Sequence, residues 1–202
     1  GLPIVPVSAF TPLGDGKKLL AKAWDNRFGV GLAIELVREL AGKTHPNVLY
    51  AGAPVQEEVG MRGAQTAADT IRPELCYVLE AGPANDTSGD RLAFGRLGQG
   101  AAVRILDSAI VTNRRLVEFI IDIAETNKIP YQYYVSPGAT DAGKIHLTNG
   151  GVPTAVVGVA ARYIHTAASV IHTDDYDAAK ELIVKLVQAT DRTAVDTIRS
   201  FR

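Results

Sequence analysis

The chain has 202 residues, with 21 Lys plus Arg against 22 Asp plus Glu and a formal net charge of −1. That is the length of one domain, or of one domain with a small addition, and the balanced charge argues against a protein whose main task is to grip a phosphate backbone. Cys76 is the only cysteine, which excludes an intramolecular disulfide framework and a cysteine-based zinc knuckle and points to a reducing, cytoplasmic setting.

In chain order, Pro3, Pro6, Pro12, Gly14 and Gly16 make the first sixteen residues an extended, turn-rich lead-in. A short strand is expected over 18–23. Phe28, Leu32, Leu36 and Leu40 recur every fourth residue, so 26–40 reads as a helix closed by Gly42. The apolar run 48–51 reads as a buried strand, 63–71 as a helix stopped by Pro73, and 75–79 as a second buried strand. The glycine-rich stretch 82–100 reads as loop and hairpin. A strand is expected over 101–106, and a helix over 113–126 with Leu116, Phe119, Ile120 and Ile123 on one face. Then come a strand over 131–135, a helix capped by Thr140 or Asp141 and running to about 147, and a strand over 152–159. A final helix over 174–189 turns Ala178, Leu182, Ile183 and Leu186 inward. No apolar run reaches the roughly 18 residues of a membrane span. The opening residues lack a secretory n-region and an initiator Met, so the chain reads as either a fragment or a processed piece.

Strands that are short apolar runs, alternating with helices, predict an α/β fold: a three-layer α/β/α sandwich around a mostly parallel, mixed sheet. In such folds the site lies past the carboxyl ends of the strands. Four places meet that condition: Asp25, which opens a helix; the pair Glu57 and Glu58; Glu80, with Asp86 a rival shortly beyond; and His165. Carboxylates converging on one imidazole suit a divalent metal of borderline hardness. Each residue also has an ordinary role open to it: Asp25 as a helix cap, the Glu pair as solvated loop charges, Glu80 as a partner for an arginine, His165 as a core or surface histidine.

The runs AKAWDNRFG, PVQEEVGMRGA, TDAGKIH and GVPTAVVGVAARYIH closely resemble the co-catalytic metal aminopeptidases of the glutamyl aminopeptidase and TET type, some of which have carried an endoglucanase label. The resemblance spans the whole chain and implies a zinc-exopeptidase-like fold. It further implies a site with two divalent metal ions (Zn, Co or Mn), with Asp25 bridging them, Glu58 and His165 on one metal, Glu80 on the other, and Glu57 as general base. Arg62, beside the Glu pair, is a weaker candidate for a substrate-binding residue. The family's first metal-ligating His lies upstream of the bridging Asp, beyond an inserted dimerisation domain. Residues 1–202 therefore correspond to the C-terminal part of the catalytic domain, and His45, His146 and His172 match no ligand position. The implied activity is removal of N-terminal residues from peptides by metal-activated water, in dimer-based homo-oligomers that reach a dodecamer, with no nucleic-acid or membrane partner. Two other readings compete: a glycan hydrolase with paired carboxylates, and a catalytically incomplete piece that serves assembly.

Overall fold

A computed structural model describes residues 1–2 and 9–200; the expectations for Pro3 and Pro6 lie outside them. The lead-in forms β1 (Phe10–Leu13), which turns through Gly14 and Gly16, both at positive φ, into β2 (Lys18–Ala21). Helix α1 (Trp24–Leu40) and helix α2 (Arg62–Ile71) follow, then β3 (Cys76–Pro83), β4 (Ala101–Leu106), α3 (Arg114–Thr126) and β5 (Tyr131–Val135). A short α4 (Ala142–Ile145), β6 (Thr154–Ala161), β7 (Ser169–His172), α5 (Thr173–Ala189) and α6 (Arg192–Arg199) complete the order.

The main sheet has the strand order β3-β6-β4-β5, with β3 parallel to β6, β4 parallel to β5, and β4 antiparallel to β6. A second, antiparallel sheet has the order β1-β2-β7. Apolar side chains of the main sheet pack into two cores. Ala81, Val103, Ala155, Val157 and Val159 join Phe28 and Leu32 of α1, Leu116 and Ile120 of α3, and Leu182 and Leu186 of α5. Val78 and Val156 point the other way, to Ala64 and Ala68 of α2 and Ala142 and Ile145 of α4. The result is the expected three-layer sandwich. It explains why all eight residues of β6 are buried and why the strand reads as a continuous apolar run. Each Leu or Ile that α5 commits to this core is worth about 1.5–3 kcal/mol.

Several expectations need correction. Residues 48–51 form no strand, and Val48 is 81% exposed. A buried strand needs a neighbour to take its backbone hydrogen bonds, and none of the described strands pairs with this run. Residues 84–100 form a loop without a hairpin. It is held instead by Asp175, a fully buried carboxylate that accepts from Gly98 N at 2.8 Å and Gly100 N at 2.7 Å. β3 runs four residues beyond its expected end because parallel pairing with β6 continues to Pro83↔Ala161. The Asp141 side chain makes no cap hydrogen bond, and α4 stops at Ile145. β7 and α6 have no counterpart in the sequence reading: four residues are too few to show a period, and α6 has a mostly polar sequence with only Val195 and Ile198 buried.

Candidate functional site

The carboxyl ends of β3 and β6 carry the site. Asp25 lies between β2 and the regular part of α1, where the backbone is not helical (φ −86°, ψ 109°). Its neighbour Asn26 does the capping that Asp25 was a candidate for. Asn26 Oδ1 accepts from Gly29 N at 2.8 Å, and its Nδ2 donates to Leu79 O at 2.8 Å. One side chain thus starts the helix and fastens it to β3, a residue before Glu80. Gly29 permits the approach, since a Cβ there would sit 2.4 Å from Leu79 O.

Glu57 and Glu58 sit in a turn that is closed by its own backbone. Met61 N donates to Glu57 O at 2.8 Å, and Gly63 N donates to Val55 O at 3.0 Å. The turn is pressed onto the start of α2 so tightly that a Cβ on Gly63 would lie 2.5 Å from Val55 backbone atoms. No strand precedes this turn, so the Glu pair is placed by the turn and α2 rather than by a strand end.

His165 rides on a short excursion between β6 and β7 in which both it and Tyr163 have positive φ (63° and 54°). Its Nε2 lies 2.6 Å from Asp25 Oδ2 and 3.4 Å from Glu58 Oε1. One donor atom from each of Asp25, Glu58 and His165 falls within 4.8 Å of the others. Asp25 forms the floor of the cluster. Glu58 and His165, both more than half exposed, face an open pocket of about 610 Å³ that is also lined by Trp24 and Ser169.

Glu80 lies inside β3 rather than at its end, buried and paired in register with Gly158. A Cβ on Gly158 would fall 1.6 Å from Glu80 O, so glycine is required for the two strands to meet there. Glu80 Oε1 accepts from Ala81 N at 3.1 Å. Burial, then the charges of Asp25 and Glu57, push the Glu80 carboxyl up to about 9. Burial also pushes Glu57 up to about 7, helped by repulsion from Asp141, Glu58 and Asp25. These carboxyls oppose one another's ionisation, a conflict that bound cations would relieve. The donor set of Asp25, Glu58 and His165 therefore fits a divalent metal ion, while Glu80 lies outside that three-residue cluster.

The remaining candidates lie apart. Asp86, the rival to Glu80, is committed to Arg162 through two contacts of 2.7 and 2.9 Å. Arg62 lines a different pocket, formed by residues 53–56 and α2. His45 contacts Asn47, which is tied to the carboxyl end of α5 and so lies at the opposite edge of the sheet. His146 bonds within α4, and His172 caps α5. The sequence reading missed Asn26 and Arg162, and it gave Asp141 only as a helix cap, not as a charge that acts on Glu57. Arg162 left a trace, a charge immediately after a wholly apolar strand, which demands a partner.

The three-layer α/β domain thus carries its acidic and imidazole cluster past the carboxyl ends of its strands, where open α/β sheets place their ligand sites. The chain belongs to the M42 glutamyl aminopeptidase family, which it matches over residues 1–182. It is 37% identical to the glutamyl aminopeptidase of Lactococcus lactis, over 98% of this chain and 55% of that protein. The TET aminopeptidase of Thaumarchaeota archaeon SCGC AB-539-E09 superposes with a TM-score of 0.91 at 36% identity, over 96% of this chain and 56% of the other. The Pyrococcus horikoshii TET1 peptidase, described as able to assemble into a tetrahedron or a large octahedral shell, gives 0.79 at 29% identity, over 90% and 53%. The chain spans about half the length of the relatives it matches. Among the described residues, no helix is long and apolar enough to cross a membrane.

Proposed function

We propose that the protein is a metal-dependent aminopeptidase that removes N-terminal residues from peptides. The observation that carries this reading is the convergence of Asp25, Glu58 and His165 in a chain of an aminopeptidase family. In this reading Asp25, Glu58, His165 and Glu80 would hold the divalent cations (Zn, Co or Mn) that the reaction needs. Such ions, when bound, polarise the scissile carbonyl and make water a stronger acid.

Glu57 takes the proton of the attacking water and returns it to the leaving amine. A group serves both steps best when its pKa is near the working pH. Burial, the largest cause of the upward shift at Glu57, persists when cations neutralise Asp25 and Glu58. Asp25 is placed by the Asn26 lock and Glu80 by the β3–β6 register. The likeness to shell-forming TET peptidases supports a homo-oligomer, which light scattering on the full-length protein would measure.

The test is hydrolysis of aminoacyl p-nitroanilides before and after treatment with a chelator. Activity should vanish with the chelator, return with zinc, cobalt or manganese, and be absent on N-acetylated substrates. Hydrolysis that survives the chelator, or cleavage of the acetylated substrates, would overturn the reading. Chelator-resistant hydrolysis of a glucan would favour the paired-carboxylate alternative.

A further inference from the structure

His165 is placed by a turn that its own backbone conformation does not favour. Both Tyr163 and His165 occupy the left-handed region, which non-glycine residues adopt at a cost. Within the turn, Thr166 Oγ1 donates to Tyr163 O at 2.6 Å and accepts from Ala168 N at 3.2 Å. At its base, Arg162 and Val170 exchange backbone hydrogen bonds of 2.9 and 3.0 Å, and Ser169 Oγ donates to Arg162 O at 3.0 Å. Every one of these bonds is internal to residues 162–170. They shape the turn but do not fix it against the other walls of the site.

Besides the His165–Asp25 contact itself and the pairing of Ser169 with Ala21 of β2, the bond that does so belongs to Arg162. Its Nε lies 2.7 Å from Asp86 Oδ1 and its Nη2 2.9 Å from Asp86 Oδ2, a parallel two-point contact. The Asp86 side chain is only 8% exposed, and Asp86 Oδ2 also accepts from Leu97 N at 3.1 Å. Asp86 lies six residues beyond Glu80, where Ala84 N still donates to Ala161 O at 2.8 Å. The pair therefore spans the exits of two adjacent strands, one bearing Glu80 and the other leading to His165. Among the described residues it is the only ion pair between the 84–100 loop and the 162–168 turn.

We propose that the Asp86–Arg162 pair is a positioning strut that holds the His165 imidazole at its distance from Asp25 and Glu58 and so sets how tightly the site binds a divalent cation. This deepens the proposed function and rests on His165 being a metal ligand. Partners that orient a metal-ligating side chain commonly govern affinity by about 10–100-fold. A planar guanidinium can make the two-point contact, and a lysine ammonium cannot.

The experiment compares wild type with Arg162→Lys, Asp86→Asn, His165→Ala and the double variant Arg162→Lys/His165→Ala in the full-length protein. Two readouts are used: amide hydrogen exchange without metal, and cobalt(II) binding by titration calorimetry. Arg162→Lys should speed exchange at the hydrogen-bonded amides of the turn, Arg162, Ala168 and Val170, at least about tenfold, leave exchange in α5 unchanged, and weaken cobalt binding by about 10–100-fold. Adding Arg162→Lys to His165→Ala should cause no further loss. Unchanged exchange in the turn overturns the strut, whatever metal does. So does a loss that adds in full to that of His165→Ala, or unchanged cobalt affinity where His165→Ala lowers it. If His165→Ala itself leaves cobalt affinity intact, the ligand assignment falls instead. Should Arg162→Lys unfold, Asp86→Asn, which keeps the shape and one acceptor, is judged by the same two readouts.

Discussion

Glu57 and Glu58 are neighbours in sequence to which the proposed mechanism gives different tasks, because their surroundings differ. Glu58 faces the open pocket beside His165, where it can give an oxygen to a cation. Glu57 is more enclosed, and burial raises its carboxyl to about 7. Replacing Glu57 by Gln keeps the shape and removes the proton acceptor. Turnover should fall by about 10²–10⁴-fold while cobalt affinity stays within a few-fold of wild type; a variant with near-normal kcat would remove Glu57 from the mechanism. Gly158 makes a second argument at this scale. An added methyl at 1.6 Å from Glu80 O has nowhere to go without parting β3 from β6. Gly158→Ala should therefore cost about 1–3 kcal/mol or more and lower metal affinity as well, because the parting occurs at Glu80. Denaturant unfolding within 0.5 kcal/mol of wild type would show that the register tolerates a side chain there.

At the scale of elements, the start of α1 shows how the fold places Asp25, a ligand in the proposed function. The Asn26 side chain caps the helix and reaches β3, so Asp25 is fixed by a helix and a strand at once. Asn26→Ala should cost about 0.5–2 kcal/mol for the lost cap, which lowers Tm by about 2–4 °C per kcal/mol in a chain of this size. Asn26→Asp keeps the acceptor for Gly29 N but loses the donor to Leu79 O. It should leave more of the stability and still weaken metal binding; calorimetric titration alongside thermal melts separates the two effects. This local design also marks what the sequence could tell. Residues 113–126 and 174–189 were legible because each helix's burial follows its own period. The run 48–51 was misread because its fate depends on a neighbouring strand, and apolar content says nothing about whether one is present. Glu80 was misplaced at a strand end because the length of β3 is set by its pairing with β6. Asp25, Glu58 and His165 were found by family motif; no spacing rule brings residues 33 and 107 positions apart to one point. Asn26 and Arg162 act through bonds to distant partners, Leu79 and Asp86, that no local pattern announces.

For the whole molecule, the site is a charge problem that the fold carries at a cost. Glu57 and Glu80 both have carboxyls raised above their ordinary value of 4.5, to about 7 and about 9. The folded chain thus binds protons that the unfolded chain has released. A raised carboxyl contributes stability that is present below the unfolded value and lost as pH rises through the folded one. In protein stripped of metal, stability should fall from about pH 4.5 upward, more steeply to about 7 while both groups contribute, and then more gently to about 9 while Glu80 alone does. Thermal melts at a series of pH values should show a Tm several degrees lower at pH 9 than at pH 6. Glu80→Gln should flatten the upper part of that fall. Saturating zinc should reverse it, because the cation binds the ionised carboxyls and binding to the native state alone raises stability. A Tm that holds level or rises between pH 6 and 9 in the stripped protein would mean that the acidic residues do not oppose one another as their burial and proximity require, and the case for a cation among them would lose its electrostatic half.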